Sequence, residues 1–158
     1  MLSNNITKYC FLFVLFMGAL CANAQQIKWT DLSSLKDSIS LFQKPILIKI
    51  ETDWCGYCKM MDAKVFSHKK VVSEIGLEYY FVRLDGENKD SVNFSGRWYQ
   101  PASFTIRGGV HELAMYLGGI EGHLNYPCLV VLDKNLILKK RIQGYLNRKD
   151  FIDWLQVD

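Results

Sequence analysis

An α/β domain is what the sequence predicts, and three stretches predict it. Ile46 to Ile50 (ILIKI) is a nearly continuous β-branched run of the kind buried on both faces of a sheet. Leu77 to Leu84 (LEYYFVRL) reads as a second strand. The residues between the two carry helical periodicity, so they pair in parallel across a crossover. Cys128 to Leu132 (CLVVL) and Leu136 to Ile142 (LILKKRI), joined by Asp133-Lys134-Asn135, then form an antiparallel hairpin.

The remaining elements follow in order. Ile27-Lys28-Trp29 is a short strand. Thr30 or Asp31 caps a helix to about Phe42, with Leu32, Leu35, Ile39 and Phe42 on one face. Lys44-Pro45 stops it, because the residue before a proline is driven out of the helical region. After the ILIKI strand, Cys55, Cys58, Met61, Val65 and Phe66 trace a helix face. Ser67 is placed to cap a second helix, His68 to Ile75, ended by Gly76. From Asn88 to Tyr126 the signals are mixed: a hairpin around Phe94 to Thr105 and a helix over Val110 to Leu117 (VHELAMYL), with Trp98, Tyr99 and Phe104 as a small core. Gly144 ends the last strand. Asn147 caps a terminal helix, Arg148 to Gln156, that turns Phe151, Ile152 and Leu155 inward.

The first residues read as a leader rather than as part of the fold. Lys8 precedes an apolar run from Tyr9 to Leu20, and Ala22-Asn23-Ala24 follows as a small-X-small cleavage pattern. Residues 1–24 are therefore expected to be a signal peptide cleaved after Ala24. Residues 25–158 then form one domain in the periplasm or outside the cell, with no stable membrane span. An uncleaved anchor is the competing reading. Lipoprotein processing at Cys21 fits poorly with Gly18-Ala19-Leu20 before it. Lys8 is the one charged residue in that segment, so the net charge of +3 barely changes on cleavage. So weak a balance argues against nucleic acid or an anionic membrane as partner.

Cleavage also changes what the cysteines mean. Cys10 and Cys21 leave, and Cys55, Cys58 and Cys128 remain: one close pair and one remote thiol, not a multi-bridge scaffold. A strand entering a helix through Asp53-Trp54-Cys55 places Cys55 near the helix N-terminus. Free N–H groups and the helix dipole stabilise a thiolate there. Cys58 follows one turn later, close enough to resolve a mixed disulfide on Cys55. Zinc needs four ligands, and Cys128, His68, His111 and His123 are scattered singly, so no metal site is expected. A purely structural bridge stays open, although so small a ring constrains the unfolded chain little.

These residues carry a family resemblance. WCGYCK, Trp54 to Lys59, between a buried strand and a helix, resembles the active site of the thioredoxin superfamily. Tyr126-Pro127 before CLVVL is similar to that fold's cis-proline, and Gly144-Tyr145 to the glycine lining its substrate groove. More narrowly, HELA at His111 to Ala114 and the Tyr-Pro pair resemble exported thioredoxin-like proteins of Bacteroidetes-type bacteria. The resemblance covers Ile27 to Val157. It implies a thioredoxin-like fold, a central mixed sheet with flanking helices, and an insertion at about 88–125 before the cis-proline. It also implies thiol–disulfide exchange with protein thiols and disulfides, without a cofactor. Cys55 would attack and Cys58 resolve, with Trp54, Gly56, Tyr57, Tyr126 and Pro127 as the docking surface. Electrons would pass to or from other thiol proteins, a membrane electron donor among them. The alternative is a thioredoxin-like adaptor or metal carrier without turnover.

Three departures from the family bear on tuning. Lys49 stands six residues before Cys55, where thioredoxin has a buried aspartate. Either its ammonium reaches water or an acid such as Glu51 or Asp85, or it loses its proton and acts as the base. As a cation it would favour the thiolate and make the dithiol more oxidising. Cys128 replaces the usual threonine after the proline, as a third reactive thiol or as a small buried residue. The 88–125 insertion either shapes partner choice or covers a sheet edge.

Overall fold

The computed structural model describes residues 27–32, 44–102 and 109–157. The expected signal peptide, residues 33–42 of the helix expected to end near Phe42, and Phe104 and Thr105 lie outside those residues; Thr30 and Asp31, expected to cap that helix, belong to a strand. Five strands form one mixed sheet: β1 (Trp29–Asp31), β2 (Ile46–Glu51), β3 (Tyr80–Asp85), β6 (Cys128–Leu132) and β7 (Leu138–Gln143), in the order β1-β3-β2-β6-β7. β2 pairs in parallel with β3 and antiparallel with β6, so the ILIKI run is the middle strand. That placement explains its composition: Ile46 to Ile50 are buried without exception, and alternate side chains feed both faces.

One face carries α1 (Gly56–Met61), α2 (Lys69–Ile75) and α4 (Arg148–Gln156). Leu47, Phe81, Leu129 and Val131 of the sheet pack there with Met61, Val65, Phe66, Val71, Phe151 and Leu155. On the other face Ile46, Ile48, Ile50, Val82, Cys128 and Val130 meet Leu113, Ala114 and Leu117 of α3 (Glu112–Gly118). The small hairpin β4 (Val92–Phe94) and β5 (Arg97–Tyr99) adds Val92, Phe94 and Tyr99 to that side. Residues 88–125 thus supply the helix that covers one sheet face, not merely an edge.

Local chemistry moves several boundaries. Helix α2 is capped by His68, whose side chain accepts the Lys70 N–H, while the Ser67 hydroxyl donates back to Ala63. β3 begins at Tyr80, not Leu77; Leu77 is 67% exposed on the turn before it. Helix α1 continues into a π-helical turn, Asp62–Phe66, which buries Val65 and Phe66 side by side against the sheet. Trp98, expected in a small core, is 57% exposed, and Tyr99 alone of that pair turns inward.

His111, expected within a helix, is instead the N-cap of α3 and wholly buried. Its Nδ1 accepts the Leu113 N–H at 3.1 Å, which leaves the proton on Nε2 to donate to the Asp90 carbonyl at 3.1 Å. Burial pushes its pKa below the usual 6.5, against the opposing pull of the Asp90 carbonyl, Glu112 and Asp85. A depressed histidine pKa means the unfolded chain takes up the proton first as pH falls. The stabilisation is therefore complete above about pH 6.5 and drains away below it. Denaturant midpoints should fall between pH 7.5 and 5.5. His111→Asn, which keeps a capping side chain, should flatten that dependence while lowering stability at neutral pH.

Candidate active site

The end of β2 sets the position of the cysteines. After Glu51 the chain turns through Thr52 to Trp54, the Cys55 N–H donates to the Thr52 carbonyl at 3.1 Å, and Cys55 becomes the N-cap of α1. Its Sγ accepts the Cys58 N–H at 3.1 Å. The two cysteines form a disulfide, 2.01 Å between sulfurs. On reduction the same N–H and the helix N-terminus would face a Cys55 thiolate, the arrangement that lowers a thiol's pKa. Cys58 lies one turn inward, so the chemistry the pair can do is exchange through Cys55 with Cys58 as the second thiol.

Aromatic rings frame the disulfide. Trp54 and Tyr57 are 67% and 63% exposed on either side of it. Trp54 donates from Nε1 to Glu87 at 3.1 Å and meets Tyr126 edge-on at 5.8 Å; Tyr57 tilts against Tyr145 at 6.3 Å. Gly56 follows Cys55 on the exposed first turn, with open space where a Cβ would stand. The Tyr126–Pro127 bond is cis. The Pro127 carbonyl accepts the Gly144 N–H at 2.7 Å, with Gly144 at φ +96°, a backbone that a β-carbon would strain. Tyr126 turns its ring inward: its hydroxyl is buried without a hydrogen-bond partner among the described residues, and burial, then Glu87 and Asp85, pushes its pKa up to about 12. Gly86 makes room for that ring, since a Cβ there would stand 2.3 Å from the hydroxyl oxygen.

Lys49 lies on the helix α1 side and does not reach water. Its side chain is 0% exposed, with Glu51 at 2.5 Å, Asp62 at 2.7 Å and the Cys58 carbonyl at 3.2 Å from Nζ. It donates to the Asp62 carboxylate and the Cys58 carbonyl, and pairs with Glu51 by charge. Arg83 closes the ring by bridging Glu51 and Asp62, the latter at 3.1 Å, and stacks 4.7 Å over Trp29. The Arg83 pKa is raised: burial works against its charge, and Glu51 and Asp62 outweigh it. Two cations and two carboxylates cancel, so Lys49 presents no uncompensated charge to the dithiol. Glu51 was legible as a partner; Asp85 instead accepts the Glu87 N–H, and Asp62 and Arg83 take its place. Asp62 had a signal, standing one helical turn after Cys58, and Arg83 is directly opposite Lys49 in the β2–β3 register.

Cys128 stands on the opposite face. Its thiol packs between Ile50, Gly118 and α3, 3.6 Å from the Gly118 carbonyl, and burial pushes its pKa up to about 12 against the pull of Arg141. It has the surroundings of a small packing residue. His68 caps α2, His111 caps α3, and His123 lies exposed in a turn. Among the described residues no three His, Cys, Asp or Glu side chains gather as a metal site.

A mixed five-stranded sheet with a Cys-X-X-Cys disulfide after its middle strand, and a cis-proline directly before the strand paired with it, is a thioredoxin-like domain. The sequence matches the thioredoxin-like domain family over residues 35–157, and the chain belongs to that family. Solved structures of similar fold include a DsbH oxidoreductase, with a TM-score of 0.55 and 16% identity over 84% of each chain. A thioredoxin from Thermus thermophilus gives 0.56 and 15% identity over 83% of this chain and 85% of its own. Spinach chloroplast thioredoxin f gives 0.50 and 20% over 85% and 96%. Likeness at these identities speaks to the fold alone. A search of curated protein sequences found no match.

Two outcomes follow from the site. Lys49→Met strips the cation from two carboxylates and should cost about 2–3 kcal/mol in urea unfolding, below the full buried-pair figure because both acids touch solvent. Cys128 should resist iodoacetamide in the folded protein at pH 8 and react once denatured, as mass mapping of the reduced chain would show.

Proposed function

We propose that the protein is an exported thiol–disulfide oxidoreductase acting on protein disulfides. The observation that carries the reading is Cys55 itself: an N-cap cysteine accepting a helix N–H, disulfide-bonded to a deeper cysteine, and framed by exposed Trp54 and Tyr57. In the reductive direction the Cys55 thiolate attacks one sulfur of a partner disulfide, forming a mixed disulfide and releasing a partner thiolate. Cys58 then gives up its proton and attacks Cys55 Sγ. The second partner thiolate leaves, Cys55–Cys58 is oxidised, and the partner has gained two electrons. Run backwards, the same steps oxidise a partner dithiol.

Docking follows from the backbone around the proline. Because Gly144 occupies the Pro127 carbonyl, a partner strand would pair through Tyr126, with its side chains between Trp54 and Tyr57. The Ala22-Asn23-Ala24 pattern supports export to the periplasm or beyond. Electrons would come from or go to another thiol protein, with a membrane-embedded donor as one source.

The test is a trap. Cys58→Ser expressed in the native host should accumulate protein partners linked to Cys55, in the periplasmic fraction and with Gln25 at the new N-terminus. Cys55→Ser should accumulate none. Wild type should reduce insulin or oxidise a reduced peptide, each cysteine variant losing at least about a hundredfold. A wild type that does neither would leave an adaptor without turnover.

A further inference from the structure

A cationic groove opens beside the dithiol. Its walls include Met60 of α1, Lys64 of the π-helical turn, His68 and Lys69 at the start of α2, and Tyr145 and Arg148 at the start of α4. No Asp or Glu is among the described residues lining it. Lys64 and Lys69 are exposed and have no ion-pair partner among the described residues. Lys70 and Lys149 nearby are paired with Glu74 and Asp153. Tyr145 links the groove to the active site through its contact with Tyr57.

His68 also meets Arg148 across the groove, its Nε2 in contact with Arg148 Nη1. A carboxylate docked here would find the Arg148 guanidinium and the ammonium groups of Lys64 and Lys69 within one lining free of acids.

We propose that this groove docks an acidic segment of the polypeptide whose disulfide reacts at Cys55. The inference rests on the exchange reading and adds the partner's class: proteins with Asp or Glu near the reacting cysteine. A polypeptide fits better than a free small anion. The groove is open and reaches the active-site frame at Tyr145, and exposed ion pairs are weak singly, so several must act on one tethered chain.

Two disulfide peptides, alike except for Glu-Glu-Glu or Gln-Gln-Gln beside the cysteine, test it. The wild type should favour the acidic peptide about tenfold in kcat/KM at low ionic strength, and about 0.5 M NaCl should erase the preference. In Lys64→Gln/Lys69→Gln/Arg148→Gln the ratio should fall to near one, and in Lys64→Glu/Lys69→Glu below it. No preference in wild type, or an undiminished one in the triple variant, overturns the proposal. So does loss of the preference to millimolar inorganic phosphate at matched ionic strength, which would assign the groove to a small anion. If neither peptide reacts, the exchange reading fails by itself. Fluorescence anisotropy with serine in place of the peptide cysteines then decides the groove: tighter binding of the acidic peptide to the oxidised protein upholds it, and equal binding overturns it.

Discussion

A lysine with no solvent exposure in the middle strand of a sheet is the constraint on which the active-site side of this protein depends. An unpaired ammonium at that depth would cost several kcal/mol. The fold meets the cost by drawing Glu51 from the end of the same strand, Asp62 from the helix bearing the cysteines, and Arg83 from the neighbouring strand. Three elements are thereby tied together directly beneath the disulfide. The bond from Lys49 to the Cys58 carbonyl extends the tie into the Cys-X-X-Cys turn itself.

The alternation of β2 then separates two roles. Leu47 faces the same helical layer as Met61, while Ile48 and Ile50 face α3. Cys128, opposite Ile50 in the β2–β6 register, shares that second face. Adjacency in the sheet thus puts a third thiol close in sequence register to the active end, and the pleat turns it away. The packing against Gly118 leaves it among apolar groups, where a thiolate is unfavourable.

Around the disulfide, exposure is arranged as a frame rather than a cavity. Trp54 is steadied by Glu87 and Tyr126, Tyr57 by Tyr145, and the proline by Gly144. Large, stiff rings on a rigid base lose little entropy when a partner chain lies across them. Such a surface suits macromolecular partners.

Much of this was legible from residues near one another in the chain. The ILIKI and CLVVL runs, the Asn147-capped last helix and the placement of Cys55 at a strand-to-helix junction each depend on periodicity, capping and neighbours within a few positions. Where single local signals competed, boundaries slipped: His68 rather than Ser67 caps α2, and the helix expected from Val110 begins at Glu112 with His111 as its cap. The sequence by itself determined the α/β order, the dithiol and which cysteine stands at the helix start, because those are set by short-range geometry. Only the tertiary structure decided that Lys49 is held by Asp62 and Arg83, that Cys128 faces away, and that Lys64, His68, Lys69 and Arg148 share one groove. Ion pairing, burial and tautomer depend on groups that meet only when distant segments fold together.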